Sequence, residues 1–478
     1  LATDWFLISD VRTIVLVVLW ACGWISEFNG EAALPFRIQI VERDSGWPVP
    51  LVQLETVHHA NFISDNAGVI AIDLPELMGR ATWFQVEGHG YEVPKDGFGS
   101  RGVRLVPTPG QRITVHVNRT ILAQRLGRIT GAGLFAESQK LGEQKSWREP
   151  GIMGCDSVQT VLHKGLLFWF WGDTTIPRYP LGIFDGTGAT TPRLPLTQFR
   201  PPIQLRYDYF SDSEGRPRAV AKMAGTGPTW LTGCADLPDK TGHSHLVATY
   251  LKIRGHLEAY ERGLCEWNDK LESFRHLKTI WRKDGGTNSD MAPEGHSIIW
   301  KDPQGTRWAL FGNPFPALRC PATFEAWQDR ASWEKLPPIA PLRSKKDGKP
   351  VVAHSGSIAW HPWNKRWICV FMEKFGEPSP FGEVWYAESD SPMGPWGKAT
   401  KIVSHNNYTF YNPMIHSEWL SEKSPEVIFE GTYSAEFANH AALTPRYDYN
   451  QILYGLDVRT VETIHLGSMT LRPLTRLK

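Results

Sequence analysis

The chain carries no surplus of one charge: Lys+Arg number 51 and Asp+Glu 50, a net charge of +1. Nucleic-acid binding needs a basic footprint that displaces counterions, so bulk nucleic-acid binding is not expected. Cysteine is scarce, with six in the chain. Cys22 lies in an apolar leader, and Cys155, Cys234, Cys265, Cys320 and Cys369 have no close pair. Their odd number and wide spacing imply neither a zinc site nor a disulfide framework, although one bridge could form after export. Long apolar runs are missing, with one exception. "TIVLVVLWACGW" (Thr13–Trp24) follows Arg12 and precedes the small residues of "NGEAA" (Asn29–Ala33). It is shorter than the roughly 20 apolar residues that span a bilayer. A charged start, an apolar middle and a small-residue end form an export signal. Residues 1–33 are expected to be a signal peptide, or an anchor where uncleaved, and to be the only tie to a membrane. The remainder is placed outside the cytoplasm, as a secreted, periplasmic or cell-surface protein.

What the chain does have is tryptophan and turn formers: Trp 21, Gly 43 and Pro 35. Most of the indoles are expected in β-core, and a few could stack on the C–H faces of sugar rings. Residues 34–110 read as one unit. "FRIQIVE" (Phe36–Glu42), "LVQLETV" (Leu51–Val57), "GVIAIDL" (Gly68–Leu74), "ATWFQVEG" (Ala81–Gly88) and "RGVRLVP" (Arg101–Pro107) alternate apolar and polar between Gly, Pro, Asp and Asn turns. Short strands at that spacing predict a small antiparallel β-sandwich. Residues 111–150, richer in Gln, Arg and Glu, read as a linker packing on the C-terminal region.

From Gly151 a pattern recurs about every 60 to 70 residues. "GCDSVQTVLHKGLLFWFWGDT", "GTGPTWLTGCADLPDKTGHSHLVATY", "MAPEGHSIIWKDPQGTRWALFGN", "AHSGSIAWHPWNKRWICVFMEKFG" and "YNPMIHSEWLSEKSPEVIFEGTY" each hold an apolar strand, a turn and a second aromatic-rich strand. Five such units predict an all-β fold over 151–478, a five-bladed β-propeller preceded by the sandwich. In a blade, the start of the first strand and the end of the second lie on the same face. The first-strand starts carry Asp156, Asp236, Glu294 with His296, His354, and Asn412 with His416. The second-strand ends carry Asp173, Tyr250, Asn313, Glu373, and Glu430 with Tyr433. The loop from Gly172 to Thr191 adds Arg178 and Asp185. Like charges gathered in a desolvated funnel shift each other's pKa, which points to chemistry rather than stability alone.

"RDSGWPVPLVQLE" and "ISDNAGVIAIDLP" resemble the carboxypeptidase-regulatory-like sandwich of exported enzymes. "CDSVQTV", "PEGHSIIW" and "HSGSIAW" resemble the opening steps of five-bladed β-propeller glycosidases of the arabinanase and β-xylosidase type. That resemblance implies a carbohydrate substrate, Asp156 as base, Glu294 as acid and His354 beside a calcium ion in the central channel. The second blade departs from the pattern: "LTGCADLPDKTG" leaves Asp236 or Asp239 as the carboxylate that tunes the acid, and His296 stands where the group has Pro. Asp173, Arg178, His296, Asn313, Glu373, Tyr411, His416, Glu430 and Tyr433 are the remaining candidates for holding substrate. A monomer is expected.

Glycoside hydrolysis needs one protonated and one ionised carboxyl. Two rivals stay open. A polysaccharide lyase would use a His or Tyr base and a cation against a uronate, and His243, His245, His296, His354, His416, Tyr411 and Arg178 offer those parts. A non-catalytic carbohydrate-binding propeller would show aromatic platforms without an acid/base pair.

Overall fold

The computed structural model describes residues 34–147, 151–176, 179–285, 291–406, 408–438 and 448–463. The expected leader at 1–33 and Arg178 lie outside them. The described chain is built of strands, with a few helices of at most six residues. Among the described residues no helix is long and apolar enough to cross a membrane.

Two four-stranded sheets form the N-terminal unit. One is ordered Val69–Ile72, Phe36–Glu42, Arg112–Arg119, Tyr91–Glu92; the other Asn61–Ile63, Gln53–Thr56, Thr82–Glu87, Gly102–Leu105. Phe36–Glu42 alternates buried and half-buried residues, the period-2 pattern of a strand with one face inward. Ile38, Ile40, Leu54, Ile70, Phe84 and Val117 from both sheets share one core. Two expectations change here. Arg112–Arg119 is not linker: its alternating Val115 and Val117 bury a face, and it runs parallel to Phe36–Glu42. The unit is therefore not purely antiparallel, and it extends beyond residue 110.

Five four-stranded antiparallel sheets follow. Their first two strands are Gln159–His163 with Leu166–Trp171, Thr229–Pro238 with Ser244–Arg254, His296–Lys301 with Arg307–Gly312, Ala353–His361 with Arg366–Glu373, and Thr409–Ile415 with Glu426–Ser434. The fifth sheet takes Asn450–Asp457 as its third strand and Gln124–Arg128 as its fourth. Residues 124–128, expected as linker, thus join the end of the chain to its beginning. Hydrogen bonds link each sheet to the next in a circuit. Gly186 N donates to Thr229 O at 3.0 Å, Gly233 N to Gly295 O at 2.8 Å, and Gly356 N to Asn313 Oδ1 at 2.7 Å. Asn412 N donates to Ser355 Oγ at 3.2 Å, and Asn412 Nδ2 to Ser157 Oγ at 2.6 Å, which returns the fifth sheet to the first.

The N-terminal unit is fastened to this circuit by buried polar groups. Arg119 Nε pairs with Glu42 Oε1 at 3.0 Å, and Gln124 Nε2 donates to Glu42 Oε2 at 2.7 Å. Asn66 Nδ2 donates to both Arg128 O and Ile203 O. Breaking such desolvated contacts leaves unpaired buried groups, so the two parts are held as one body.

Candidate active site

The carboxyls gather near the starts of the first strands. Asp156 precedes the first strand of the first sheet, and its backbone pairs with the loop after the second strand: Asp156 N donates to Asp173 O and Gly172 N to Asp156 O. That bridge sets Asp156 and Asp173 side by side. Tyr411, from the fifth sheet, donates its hydroxyl to Asp156 Oδ2 at 3.0 Å. Burial raises the Asp156 pKa to about 7, and the neighbouring Asp173 adds to the rise, while the Tyr411 and Tyr449 hydroxyls oppose it. Burial likewise lifts Asp173 to about 6, opposed by Trp230 and reinforced by Glu436 and Asp185.

Glu294 is placed by two glycines. Gly295 has φ +86, and a Cβ there would stand 2.1 Å from Gly312 O. Gly233 has φ +61, and a Cβ there would meet Pro293 O at 1.9 Å. Only glycine allows both the left-handed turn and the close approach. The result seats the Pro293–Glu294 step against the second sheet, where Thr249 Oγ1 donates to Pro293 O at 2.7 Å. Burial raises the Glu294 pKa and the Arg262 guanidinium lowers it. Arg262 Nε lies 3.2 Å from Glu294 Oε1.

The first and third sheets, not neighbours in the circuit, meet through two side chains. Gln159 Nε2 and His296 Nδ1 lie 3.4 Å apart. Asp156 stands three residues before Gln159, and Glu294 two before His296. Burial lowers the His296 pKa to about 4, and the charge of His416 contributes. His416 is fully buried between two carboxylates, 3.1 Å from Glu418 Oε1 and 2.9 Å from Glu430 Oε1. Those partners outweigh desolvation and lift it to about 9, so it is an imidazolium. Its ring packs on Trp169 and Trp419.

Several expected site residues lie elsewhere. Asp236 sits eight residues into a ten-residue strand, at the far end, with His163 Nδ1 at 3.2 Å and the Ser244 hydroxyl on its other oxygen. It does not serve the mouth. Asp239 is in the turn beyond, capped by Thr241 and His243. Glu430 and His416 are locked together beneath the surface, and Tyr433 is buried against His89 of the N-terminal unit. The Asn313 side chain ties the third sheet to the fourth. Glu373 accepts from Trp385 Nε1 at 2.8 Å on the flank of the fourth sheet.

His354 is exposed, with its ring 5.4 Å from Phe381. No group of three or more His, Cys, Asp or Glu able to hold a metal occurs among the described residues. Calcium takes six or more oxygen ligands, and one exposed imidazole does not fit it. Among the described residues five cysteines are free and buried, their thiols held protonated by desolvation. Arg262, Gln159, Glu418 and Tyr449 complete the surroundings, although the blade pattern does not mark them as site residues. Tyr449 follows directly on "PRYD", an aromatic-rich step that could have signalled it. Arg262 lies on a third strand, where no mouth position is expected.

No protein-family model matches the sequence, and no curated protein matches it. Solved structures resemble it at low identity. An exo-β-1,3-galactanase from Phanerochaete chrysosporium is 9% identical, with 63% of this chain covered, 60% of that one, and a TM-score of 0.36. An exo-1,5-α-L-arabinanase from a bovine ruminal metagenomic library is 10% identical, with 64% and 94% covered and a TM-score of 0.38. An N-acetylgalactosamine deacetylase from F. plautii is 9% identical, with 65% and 91% covered and a TM-score of 0.38. The roles of individual residues rest on the geometry of this chain and not on these likenesses.

Proposed function

We propose that the five sheets are the blades of a five-bladed propeller, flanked by a sandwich-like N-terminal unit, and that the mouth hydrolyses glycosidic bonds in an exported carbohydrate-active enzyme. The observation that carries this reading is the pair Asp156 and Glu294. They are two desolvated carboxyls at the lead-ins of non-neighbouring blades, and those blades meet across the channel at Gln159 and His296.

Both carboxyls lean toward the protonated form, but among the described residues only Glu294 has a guanidinium beside it. Two carboxyls with unlike surroundings divide the acid and base roles. The proton is therefore assigned to Asp156 and the negative charge to Glu294, the reverse of the roles the sequence resemblance implies. Asp156 gives its proton to the glycosidic oxygen as the bond to the anomeric carbon breaks. A water oxygen bonds to that carbon, and Glu294 takes the proton the water loses. Inversion by this route requires the two carboxyls to stand about 6.5–9.5 Å apart, with the water between them.

Elimination is less well supplied. A lyase base must be free to take a proton. Burial holds the Tyr411 hydroxyl protonated, and His416 is already protonated between two carboxylates. Burial keeps His296 neutral, its pKa lowered to about 4.

The test incubates the purified protein with neutral and uronate polysaccharides while reducing ends and the ultraviolet band of unsaturated uronates are followed together. The expected result is reducing ends without the band, lost in both Asp156→Asn and Glu294→Gln. Both signals rising together, with Asp156→Asn still active, would replace the hydrolase by a lyase.

A further inference from the structure

Phe375 is 70% exposed and has φ +58, a left-handed backbone that a bulky side chain rarely adopts. Phe437 is 67% exposed and has φ +56. The two occupy like positions, two and three residues beyond the ends of the second strands Arg366–Glu373 and Glu426–Ser434. Both therefore follow strand ends on the side of their sheets where the first strands start, the side of the Asp156 and Glu294 lead-ins. Phe184, 45% exposed, follows the hairpin strand Tyr179–Ile183, next to Asp185. Exposed phenylalanines in strained backbone gain nothing for folding, so their placement asks for a ligand.

The setting of each ring identifies the ligand class. The rings are separate, and each has a charged neighbour: Asp185 beside Phe184, Lys374 with its Nζ 5.4 Å over Phe375, and Glu436 beside Phe437. A protein partner buries one contiguous apolar core. A sugar instead presents a C–H face to a ring and hydroxyls to flanking polar groups. The surface also continues outward. Phe375 lies 5.5 Å from Phe381, which lies 5.4 Å from His354. Phe375 and Glu373 form one wall of a cleft of about 960 Å³ on the flank of the fourth sheet, with Lys346, Lys349 and Trp385 on its other sides.

We infer that Phe184, Phe375 and Phe437 are stacking positions for an extended polysaccharide chain, which runs from the mouth over Phe375 into this cleft. The inference rests on the carbohydrate reading of the mouth and names its substrate as a polymer rather than a short oligosaccharide.

Affinity electrophoresis through gels containing arabinan, galactan, xylan, polygalacturonate or alginate tests it without relying on turnover. The wild type should be retarded by at least one gel. Phe375→Ala should weaken that retardation roughly tenfold in dissociation constant, about the factor that 1.4 kcal/mol represents. The double variant Phe375→Ala/Phe437→Ala should abolish it. Phe98→Ala, which alters an equally bare ring in the N-terminal unit, 98% exposed, should leave it unchanged. All three phenylalanines are surface groups, so folding is preserved, and circular dichroism confirms it in each variant. Equal retardation of the wild type and the double variant, or no retardation in any gel, overturns the inference. Retardation lost in the double variant but kept in Glu294→Gln, with no turnover by the wild type, would sustain the polymer track and overturn the hydrolase reading alone.

Discussion

Arg262 Nε stands 3.2 Å from Glu294 Oε1, although the two residues come from different sheets. The guanidinium reaches from the third strand of one sheet to the lead-in of the next, and its own plane lies 5.4 Å from the Trp281 ring. It is the group that makes the two carboxyls of the mouth unlike. Arg262→Leu should therefore raise the Glu294 pKa, since burial then acts unopposed. If Glu294 works as the ionised base, the acid limb of kcat/KM should move to higher pH. At a fixed pH on that limb, activity should fall about tenfold for each pH unit the limb moves. A pH profile of the variant that overlays the wild type would remove Arg262 from the mechanism.

Asp156 makes a prediction of opposite dependence. As the proton donor it should lose activity as pH rises through about 7. Asp156→Asn should reduce turnover by roughly 10²–10⁴, the usual contribution of a general acid. Stability follows the same proton. The folded pKa is raised from 3.8 to about 7, so the folded chain holds this proton more tightly than the unfolded chain. That contribution is full below 3.8 and is lost as pH climbs to 7. Asp173, raised to about 6, acts in the same direction. The thermal midpoint of Asp156→Asn should therefore exceed that of the wild type at pH 7.5 and approach it at pH 4. A constant difference across that range would show that Asp156 is not desolvated as described.

Much of this is legible in the sequence, for a local reason. The apolar hairpins carry their own period, and "PEGHSIIW" announces a turn, a carboxylate and a strand in eight letters. Strands fall where "FRIQIVE" and "HSGSIAW" place them. The motif misplaces Asp236 because its strand begins earlier than the pattern suggests, at Thr229, which carries Asp236 past the mouth. Arg112–Arg119 and Gln124–Arg128 read as linker because their partners are remote: one pairs in parallel with Phe36–Glu42, the other with Asn450–Asp457. Arg262 is invisible for the same reason. Its meaning depends on a neighbour in the next sheet, which periodicity cannot supply.

His416 and Glu430 test the buried support beneath the mouth. Both side chains are fully buried, with Nε2 and Oε1 2.9 Å apart. Removing one partner of such a pair costs about 3–5 kcal/mol, because the other charge is left buried alone. His416→Ala and Glu430→Gln should each destabilise on that scale in chemical denaturation, and the double variant by less than their sum. The folded pKa of His416 is raised from 6.5 to about 9. Its contribution is therefore full below 6.5 and is lost as pH rises through 9. The gap between wild type and His416→Ala should close over that window. Additive single effects would show the two groups to be uncoupled.

Gly233 and Gly215 separate strain from positioning. Both have left-handed backbone, φ +61 and φ +74, so an alanine at either costs about 1–2 kcal/mol. Around Gly215 nothing lies within 4 Å, whereas a Cβ on Gly233 would meet Pro293 O at 1.9 Å. Gly215→Ala should lower the thermal midpoint slightly and leave kcat/KM intact. Gly233→Ala must push the Pro293–Glu294 step away from the second sheet, and a displacement of about 1 Å can cost 10²-fold in rate. The comparison is made on the folded fraction of each variant, in kcat/KM against a hydrolysed polysaccharide. A Gly233→Ala enzyme as active as Gly215→Ala would mean that Glu294 tolerates the shift, and would remove it from the reacting pair.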